Sequence, residues 1–457
     1  MELNIKEYKH IYMIGIGGIS MSGIAEILVK WGYQVSGSDG TQSSQTDWLE
    51  SNGVHVNIGH DANNITKDID LVVYTAAIHE DNPEIVKAKE LNIPVVERGF
   101  FLGEITKLFK DTIGIAGTHG KTTTTSMVAL AFLEANLDPS IQVGAVLSNI
   151  NGNYRVGHSD YFIIEACEYC ESYLSFQQRS AIVLNIDDDH LDYFGNIDNI
   201  QKSFEKYVNH LPNDGYLVLN ADDERCYALR DYTNANVITI GSGQFADWWY
   251  EDLEFDEEGC PSYSAYYKGT NKGTVKLNVT GVHNVMNSLA CIALCDAYGI
   301  SFDTTVAALA KFGGASRRLE YKGMFNGARV YDDYGHHPTE ILATARGLNN
   351  KKFNESWVVF EAHTYSRLAG HLKEFAHSLS GFNHIIVMDI YAAREVNTYD
   401  IHESDLINEL KKINKEAIHI SDYDEIVKYL KDNVKENDVI LTLGAGNVTK
   451  IATLLTK

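Results

Sequence analysis

The sequence predicts an α/β chain of three domains. Three observations carry this. A length of 457 residues suits about three domains of ordinary size, strand and helix signals alternate in successive blocks, and two glycine-rich loops each stand between a strand and a helix. Hydrophobic residues make up 44% and charged residues 22%, which is enough apolar material for several cores and excludes a mostly disordered chain. With 6 prolines, a collagen-like or proline-rich protein is excluded too.

The first block opens with His10-Ile-Tyr-Met-Ile-Gly15, a short apolar run ending in glycine. Ile24, Ile27, Leu28 and Trp31 then recur at i, i+3, i+4 and i+7, one face of a helix. Residues 33–38, 71–75 and 93–96 read as further strands of a parallel sheet, and 106–112 as a connector. A second block opens at 112–117, with a helix over 123–136 and strands at 161–166, 181–186, 216–219 and 237–240. Residues 248–279 are rich in Tyr, Asp, Glu and Gly and alternate around Asn271-Lys-Gly273, which predicts antiparallel hairpins appended to the sheet. A helix begins near His283, with Val285, Leu289 and Ile292 on one face. Gly313-Gly314-Ala-Ser-Arg317-Arg318 reads as a hinge, and the last block has strands at 328–332, 357–361, 384–390 and 439–443. The domain boundaries expected from this are 1–107, 108–314 and 315–457.

The balance of 38 basic and 62 acidic residues gives a net charge of −24. Such a field repels nucleic-acid phosphates and anionic membranes at long range, so a broad surface for either is not expected. An anionic small molecule needs local Lys, Arg, backbone N–H groups or a metal. Six cysteines, Cys167, Cys170, Cys226, Cys260, Cys291 and Cys295, do not make a disulfide framework in a chain this long and read as reduced thiols. The stretch 11–29 is too glycine-rich for a leader or anchor and carries Ser20, Ser22 and Glu26. A cytoplasmic location without membrane insertion is the expectation.

The strongest chemical signal is Gly117-Thr118-His119-Gly120-Lys121-Thr122-Thr123, between an apolar strand and a helix. A glycine loop there aims N–H groups at phosphate, the helix N-terminus adds positive potential, Lys121 reaches the outer phosphates and the Thr122 hydroxyl is suited to Mg²⁺. Ile115 stands where the usual pattern has its first glycine. Glu165 ends one strand and His190 follows another; ligands of open α/β sheets sit beyond such carboxyl ends, so Lys121, Glu165 and His190 are expected to converge. A carboxylate is a good Mg²⁺ ligand and histidine a poorer one, acting through water or on a second ion.

Gly15-Ile-Gly17-Gly18-Ile-Ser20 resembles a dinucleotide fingerprint with Ser20 in the third glycine position, and Asp39 ends the next strand where an acid meets a ribose. This suits NAD or any nucleotide diphosphate. Thr75, His79 and Arg98 follow later strands of the same block and are candidates for the same ligand. Cys167-Glu-Tyr-Cys170 is a single C-x-x-C without the second pair a zinc site needs. His336 and His337 are neighbours whose side chains diverge on extended chain, so they are read as substrate contacts, with His363, rather than as ligands of one ion.

Taken in order, Gly15-x-Gly-Gly-x-Ser-Met-Ser-Gly-Ile-Ala-Glu26, Gly117-Thr-His-Gly-Lys-Thr122, Glu165-Ala-Cys-Glu168, Asp189-His190-Leu-Asp192, His283-Asn284-x-x-Asn287, Arg317-Arg318, Asp332-Asp333-Tyr-Gly-His-His-Pro-Thr-Glu340 and Leu443-Gly-Ala-Gly446 resemble the Mur ligase family of peptidoglycan synthesis. The resemblance covers nearly the whole chain, and the ordered set is far more specific than any single motif. It implies a Rossmann-like N-terminal domain for a UDP-sugar, a central P-loop ATPase-type domain, and a Rossmann-like C-terminal domain closing on nucleotide and amino acid. The implied reaction is ATP-driven amide formation through an acyl phosphate, most like the family members that join L-alanine to UDP-N-acetylmuramate.

In family terms Lys121 binds the phosphates, Thr122 and Glu165 resemble ligands of one Mg²⁺ (or Mn²⁺), and His190 a contact of a second metal. His283 and Asn284 resemble adenine-side contacts, Arg318 the hinge arginine near the γ-phosphate, and Asp332 a point of closure on the nucleotide. His336, His363 and Arg367 lie in motifs that meet the muramyl and amino-acid end. The chain departs from the family pattern in three places. Many relatives carry Asp where Cys167 and Cys170 stand. Phe360-Glu-Ala-His363-Thr364 replaces a more usual Phe-Gln-Pro-His-Arg. The carbamylated lysine of sister ligases has no clear match, with Glu205 at the closest spacing and Lys202 and Lys206 nearby.

Three alternatives stand beside this reading. One keeps the chemistry and attaches a whole tripeptide, against which Tyr334-Gly335 before His336 argues. One is an NAD-dependent oxidoreductase, which leaves Gly117 to Thr122 unexplained. The last is a catalytically dead nucleotide-binding regulator, against which intact Lys121, Glu165 and His190 argue.

Overall fold

The computed structural model describes residues 3–75, 77–393 and 395–457. Three sheets dominate it. The first is all parallel, in the order β3-β2-β1-β4-β5, from β1 (His10–Ile14), β2 (Gln34–Asp39), β3 (His55–Ile58), β4 (Leu71–Tyr74) and β5 (Val95–Glu97). β1 is buried along its whole length, as a central strand covered by helices on both faces must be. Helix α1 (Ile19–Lys30) buries Met21, Ile24, Ala25, Ile27 and Leu28 against it, the face that the sequence spacing predicts.

The second sheet contains β6 (Asp111–Ala116), β7 (Ser140–Leu147), β8 (Gly152–Arg155), β9 (Tyr161–Glu165), β10 (Ser180–Val183), β11 (Tyr216–Asn220) and β12 (Asn236–Gly241) in the order β12-β11-β10-β6-β9-β7-β8. All its pairs are parallel except β7 with β8. β13 (Trp248–Phe255) starts by pairing parallel with β12, and β14 (Pro261–Tyr267) and β15 (Thr270–Lys276) follow it, where hairpins are expected. The third sheet has the order β16-β17-β21-β18-β19-β20, from β16 (Glu320–Phe325), β17 (Ala328–Asp333), β18 (Ser356–Phe360), β19 (His384–Val387), β20 (Ala417–His419) and β21 (Val439–Leu443). Only β16 runs antiparallel, against β17.

The chain forms two compact units. The first runs to Trp249 and takes in Tyr267–Gly269 and Asn287–Ala308; the second comprises Tyr250–Tyr266, Thr270–Met286 and Leu309–Lys457. In the first unit one continuous core unites residues of both its sheets, from Ile11, Ile24 and Phe101 to Phe162, Tyr173 and Phe204. In the second, cores lie on the two faces of the third sheet, around Phe360 and Leu441 on one and Val359 and Ile440 on the other.

Some elements differ from expectation. The strand expected over 181–186 ends at Val183; Leu184 N–H still bonds the last residue of β6, Ala116, and Asn185 turns its carbonyl and side chain to the glycine loop. β3, the β7–β8 hairpin, the helix Arg98–Thr106 and the helix Ile197–Asn209 are additional. β3 is an edge strand with one buried residue, Val56, so its apolar signal is faint. The helix Ile197–Asn209 does carry a periodic signal, in its buried residues Ile200, Phe204, Tyr207 and Val208.

Candidate active site

The glycine loop leaves β6 at Ala116 and enters the helix Lys121–Glu134. Ile115 pairs within the sheet with Ile182 and Glu165, so the strand runs on past the usual first glycine and the loop proper starts at Gly117. Gly117 (φ +130°) and Gly120 (φ +84°) take backbone angles that side chains disfavour. A Cβ at Gly120 would lie 2.7 Å from Asn287 Oδ1. The loop is braced from the segment after β10. Leu184 donates to the Ala116 carbonyl, Thr118 donates to that of Asn185, and the Asn185 side chain accepts from His119 N–H at 2.8 Å and donates to His119 O at 3.1 Å. His119 Nε2 lies 2.9 Å from Asp187 Oδ2, and Asp187 N–H donates to Thr118 Oγ1 at 2.9 Å. The result is a loop held open at a helix N-terminus, where backbone N–H groups and the helix dipole favour an anion.

The side chains expected to converge do so within the first unit. Thr122 Oγ1 donates to Glu165 Oε1 at 3.1 Å, while Glu165 Oε2 accepts from Gly144 N–H at 2.8 Å. These two hard oxygen donors beside a phosphate cradle fit Mg²⁺ or Mn²⁺. Lys121 Nζ donates to the carbonyls of Gly117 at 2.6 Å and Thr118 at 2.9 Å and pairs with Glu168 at 2.9 Å. Burial works to lower the Lys121 pKa, but the carboxylates of Glu168 and Glu165 outweigh it and raise the pKa above the usual lysine value. His190 adopts φ +56°, sets its ring 4.7 Å from that of Tyr169 at a tilt of 45°, and brings Nε2 to 4.0 Å from Glu168 Oε1. A nitrogen ligand is a poorer match for Mg²⁺ than the Thr122–Glu165 pair.

The N-terminal glycine loop is assembled as well. Gly17 N–H donates to Asp39 Oδ2 at 2.9 Å, so that N–H, expected to face a diphosphate, is given to the acid instead. Gly18 donates to Gly15 O at 3.1 Å, and Gly15 approaches the Thr75 methyl closely. Arg98 Nη1 donates to Ser20 Oγ at 3.1 Å, and Tyr154 OH donates to Ser20 O at 3.2 Å, which ties this loop to β8. Gly15, Gly17, Gly18, Ser20, Asp39, Thr75 and Arg98 are thus brought together. His79 is exposed in the turn after β4.

In the second unit His283 is exposed at the start of the helix Val282–Ala297, and Asn284 is buried with its amide donating to Thr280 O at 2.7 Å. The hinge has Arg317 and Leu319 at positive φ. Arg317 donates to Asp332 Oδ2 at 3.2 Å, and Arg318 lies over the Tyr334 ring, 5.4 Å from its centre. Asp332 is fully buried and also accepts from Thr442 at 2.6 Å and Thr449 at 2.7 Å. It locks β17, β21 and the hinge together instead of standing open to a ligand. The His336 ring lies 5.6 Å from that of His363, which is stacked 5.5 Å from Tyr391, and Arg367 Nη1 lies 3.2 Å from His363 Nδ1. His337 turns away to cap the helix Pro338–Asn349 and packs on His371, so the two neighbouring histidines do diverge.

The sequence reading assigned no role to Glu168, Asn185 or Asp187. Glu168 and Asn287 stand inside the motifs of the family resemblance, but no periodicity marks them, because what they meet, Lys121 and Gly120, lies far away in sequence. Cys167 is half-buried and Cys170 exposed, neither of them in a disulfide, and burial followed by the charge of Glu168 pushes the Cys167 thiol up to about 11. Lys206 is paired with Glu171 at 2.9 Å.

Comparison with known proteins finds three family models in succession: Mur ligase family, catalytic domain, over residues 10–110; Mur ligase middle domain over 115–295; and Mur ligase, glutamate ligase domain, over 317–446. The UDP-N-acetylmuramate–L-alanine ligase of Caldanaerobacter subterraneus subsp. tengcongensis is 44% identical, over 99% of this chain and 98% of that protein. The enzyme of the same name from Lachnospira eligens is 46% identical, over 98% of each. Among solved structures, UDP-N-acetylmuramate-alanine ligase from Thermotoga maritima superposes with a TM-score of 0.84 at 29% identity, covering 98% of both chains. A murein peptide ligase from Psychrobacter arcticus gives 0.73 at 25%, again over 98% of both.

Proposed function

The chain belongs to the Mur ligase family, and from that membership we infer that it is an ATP-dependent ligase joining L-alanine to UDP-N-acetylmuramate in peptidoglycan synthesis. The observation that carries the reading is the match along nearly the whole chain, at 44% and 46% identity, to enzymes named for that reaction. A carboxylate is a poor electrophile, so it must be activated. The muramyl carboxylate oxygen attacks the γ-phosphorus of ATP, the bond from that phosphorus to the β,γ-bridging oxygen breaks, and ADP leaves. The alanine amine then attacks the acyl carbonyl and loses a proton, and phosphate leaves from the tetrahedral intermediate. The protein's task is to hold two anionic substrates together and stabilise the transferring phosphoryl group.

We assign the N–H groups of the loop 117–123 and the Lys121 ammonium to the phosphates. Thr122 and Glu165 would hold Mg²⁺, which when bound offsets phosphate charge. His190, 4.0 Å from Glu168, is assigned to a second ion, directly or through water. His283 and Asn284 are assigned to the adenine and Arg318 to the γ-phosphate. Asp332, saturated by Arg317, Thr442 and Thr449, is assigned to shaping the hinge. The cluster His336, His363 and Arg367 is assigned to the muramyl and amino-acid end, and Gly15, Gly17, Gly18, Ser20, Asp39, Thr75, His79 and Arg98 to the UDP-sugar. The division 1–107, 108–314 and 315–457 would separate UDP-sugar, ATP and closure functions. We place this reaction in the cytoplasm. No helix among the described residues is long and apolar enough to cross a membrane.

The test is ADP release in Mg²⁺ with UDP-N-acetylmuramate and each amino acid in turn, and with the tripeptide L-alanyl-γ-D-glutamyl-meso-diaminopimelate. Release with L-alanine is expected. Release with the tripeptide alone would reassign the chain to the tripeptide-attaching reaction, and no release with any amine would refute the ligase reading.

A further inference from the structure

Glu168 is a buried carboxylate of the phosphate site that the roles above leave unused. It is 2% exposed and lies 2.9 Å from Lys121 Nζ, itself buried in the loop. An ammonium has three N–H donors. Here those donors meet Gly117 O, Thr118 O and Glu168, so the cation meant for phosphate is both neutralised and saturated. Glu165 accepts from Thr122, the residue after Lys121, and its charge also acts on the lysine. Two carboxylates therefore bear on this one cradle, in a chain whose net charge is −24. A bare nucleoside triphosphate meets repulsion there that the helix N-terminus alone must overcome.

We propose that Glu168 is a positioning residue that makes nucleotide binding at this loop conditional on a divalent cation. It holds Lys121 inside the loop until the nucleotide arrives with a cation whose charge offsets Glu165 and Glu168 together, and Lys121 is then released to the phosphates. The inference rests on the reading of the loop as the ATP site. It assigns Glu168 more than support, since a counter-ion for a buried lysine alone needs no second carboxylate nearby and no saturation of the lysine by loop carbonyls.

The experiment is calorimetric titration of ATP into the full-length protein, in Mg²⁺ and in EDTA, for the wild type and for Glu168→Gln, which keeps shape and removes charge. The wild type is expected to bind ATP at least about tenfold more weakly in EDTA. In Glu168→Gln the affinity in EDTA should rise about tenfold, so that the dependence on metal narrows by about that factor, while Glu168→Asp retains it. Unchanged or weaker metal-free affinity in a folded Glu168→Gln protein overturns the proposal. So does a wild type that binds ATP equally well with and without Mg²⁺, a result that needs no variant to fold. A wild type that binds no ATP even in Mg²⁺ would instead sink the assignment of the loop to ATP.

Discussion

Lys121 carries the heaviest single burden at the residue scale. It begins the helix behind the loop, and its side chain folds back over the loop carbonyls. Lys121→Ala removes a charge aimed where negative charge develops, so the rate of ADP release should fall about 10² to 10³-fold while the thermal melt stays cooperative. Turnover near the wild-type value would refute the assignment. Cys167 and Cys170 make the opposite case. Soft sulfur is a poor partner for Mg²⁺, and burial keeps the Cys167 thiol protonated at neutral pH. The double variant Cys167→Ser, Cys170→Ser should keep activity within about threefold in Mg²⁺, a loss small on the scale of one lost charge contact. Stoichiometric zinc in the parent protein, together with an inactive but folded variant, would restore a thiolate role.

At the scale of elements, the contact between α1 and β8 decides how the N-terminal glycine loop is held. Gly23 lies on the buried face of α1, where a Cβ would come within 1.6 Å of the Tyr154 ring. The phenol passes over this glycine to donate to Ser20 O at 3.2 Å. Gly23→Ala must push helix and strand apart, with an expected loss of about 1–3 kcal/mol read as a lower midpoint in denaturant. Combined with Tyr154→Ala the same substitution should add almost nothing, because its obstacle is gone. Additive losses in the double variant would show that the close approach is not the cause. The segment after β10 is shaped by its surroundings in the same way. Leu184 and Asn185 have the apolar and polar make-up of a strand end, yet the hydrogen bonds of Asn185 go to the glycine loop.

For the whole molecule, the sequence boundaries and the cores do not coincide. The segments 1–107 and 108–314 read as separate domains, but Ile24, Leu28, Phe101 and Ile105 share one core with Phe162, Tyr173 and Phe176. Trp31 meets Phe109, whose ring lies 4.7 Å from that of Phe162. Residues 1–107 expressed alone should therefore expose an apolar face and self-associate or melt without cooperativity, as judged by size-exclusion chromatography and circular dichroism. A monomeric fragment with a sharp melt would contradict this. Binding of the UDP-sugar is accordingly best measured on the full chain.

Much of the architecture was legible because it depends on local, periodic patterns. The apolar runs of β1, β6, β9 and β21, the helical face of α1, and the glycines before Lys121 can be read from neighbouring residues alone, and the ordered motifs identify the family. Thr122, Glu165 and Lys121 were legible too, since the ends of parallel strands meet at one edge of a sheet. Which partners those groups take was decided only in three dimensions. Nothing local shows that Glu168 pairs with Lys121, that Asp39 takes the Gly17 N–H, or that Asp332 is saturated by Thr442 and Thr449. Each of these pairings joins residues far apart in sequence. The order of strands in the sheet selects them, and burial then requires every polar group left inside to find a partner there.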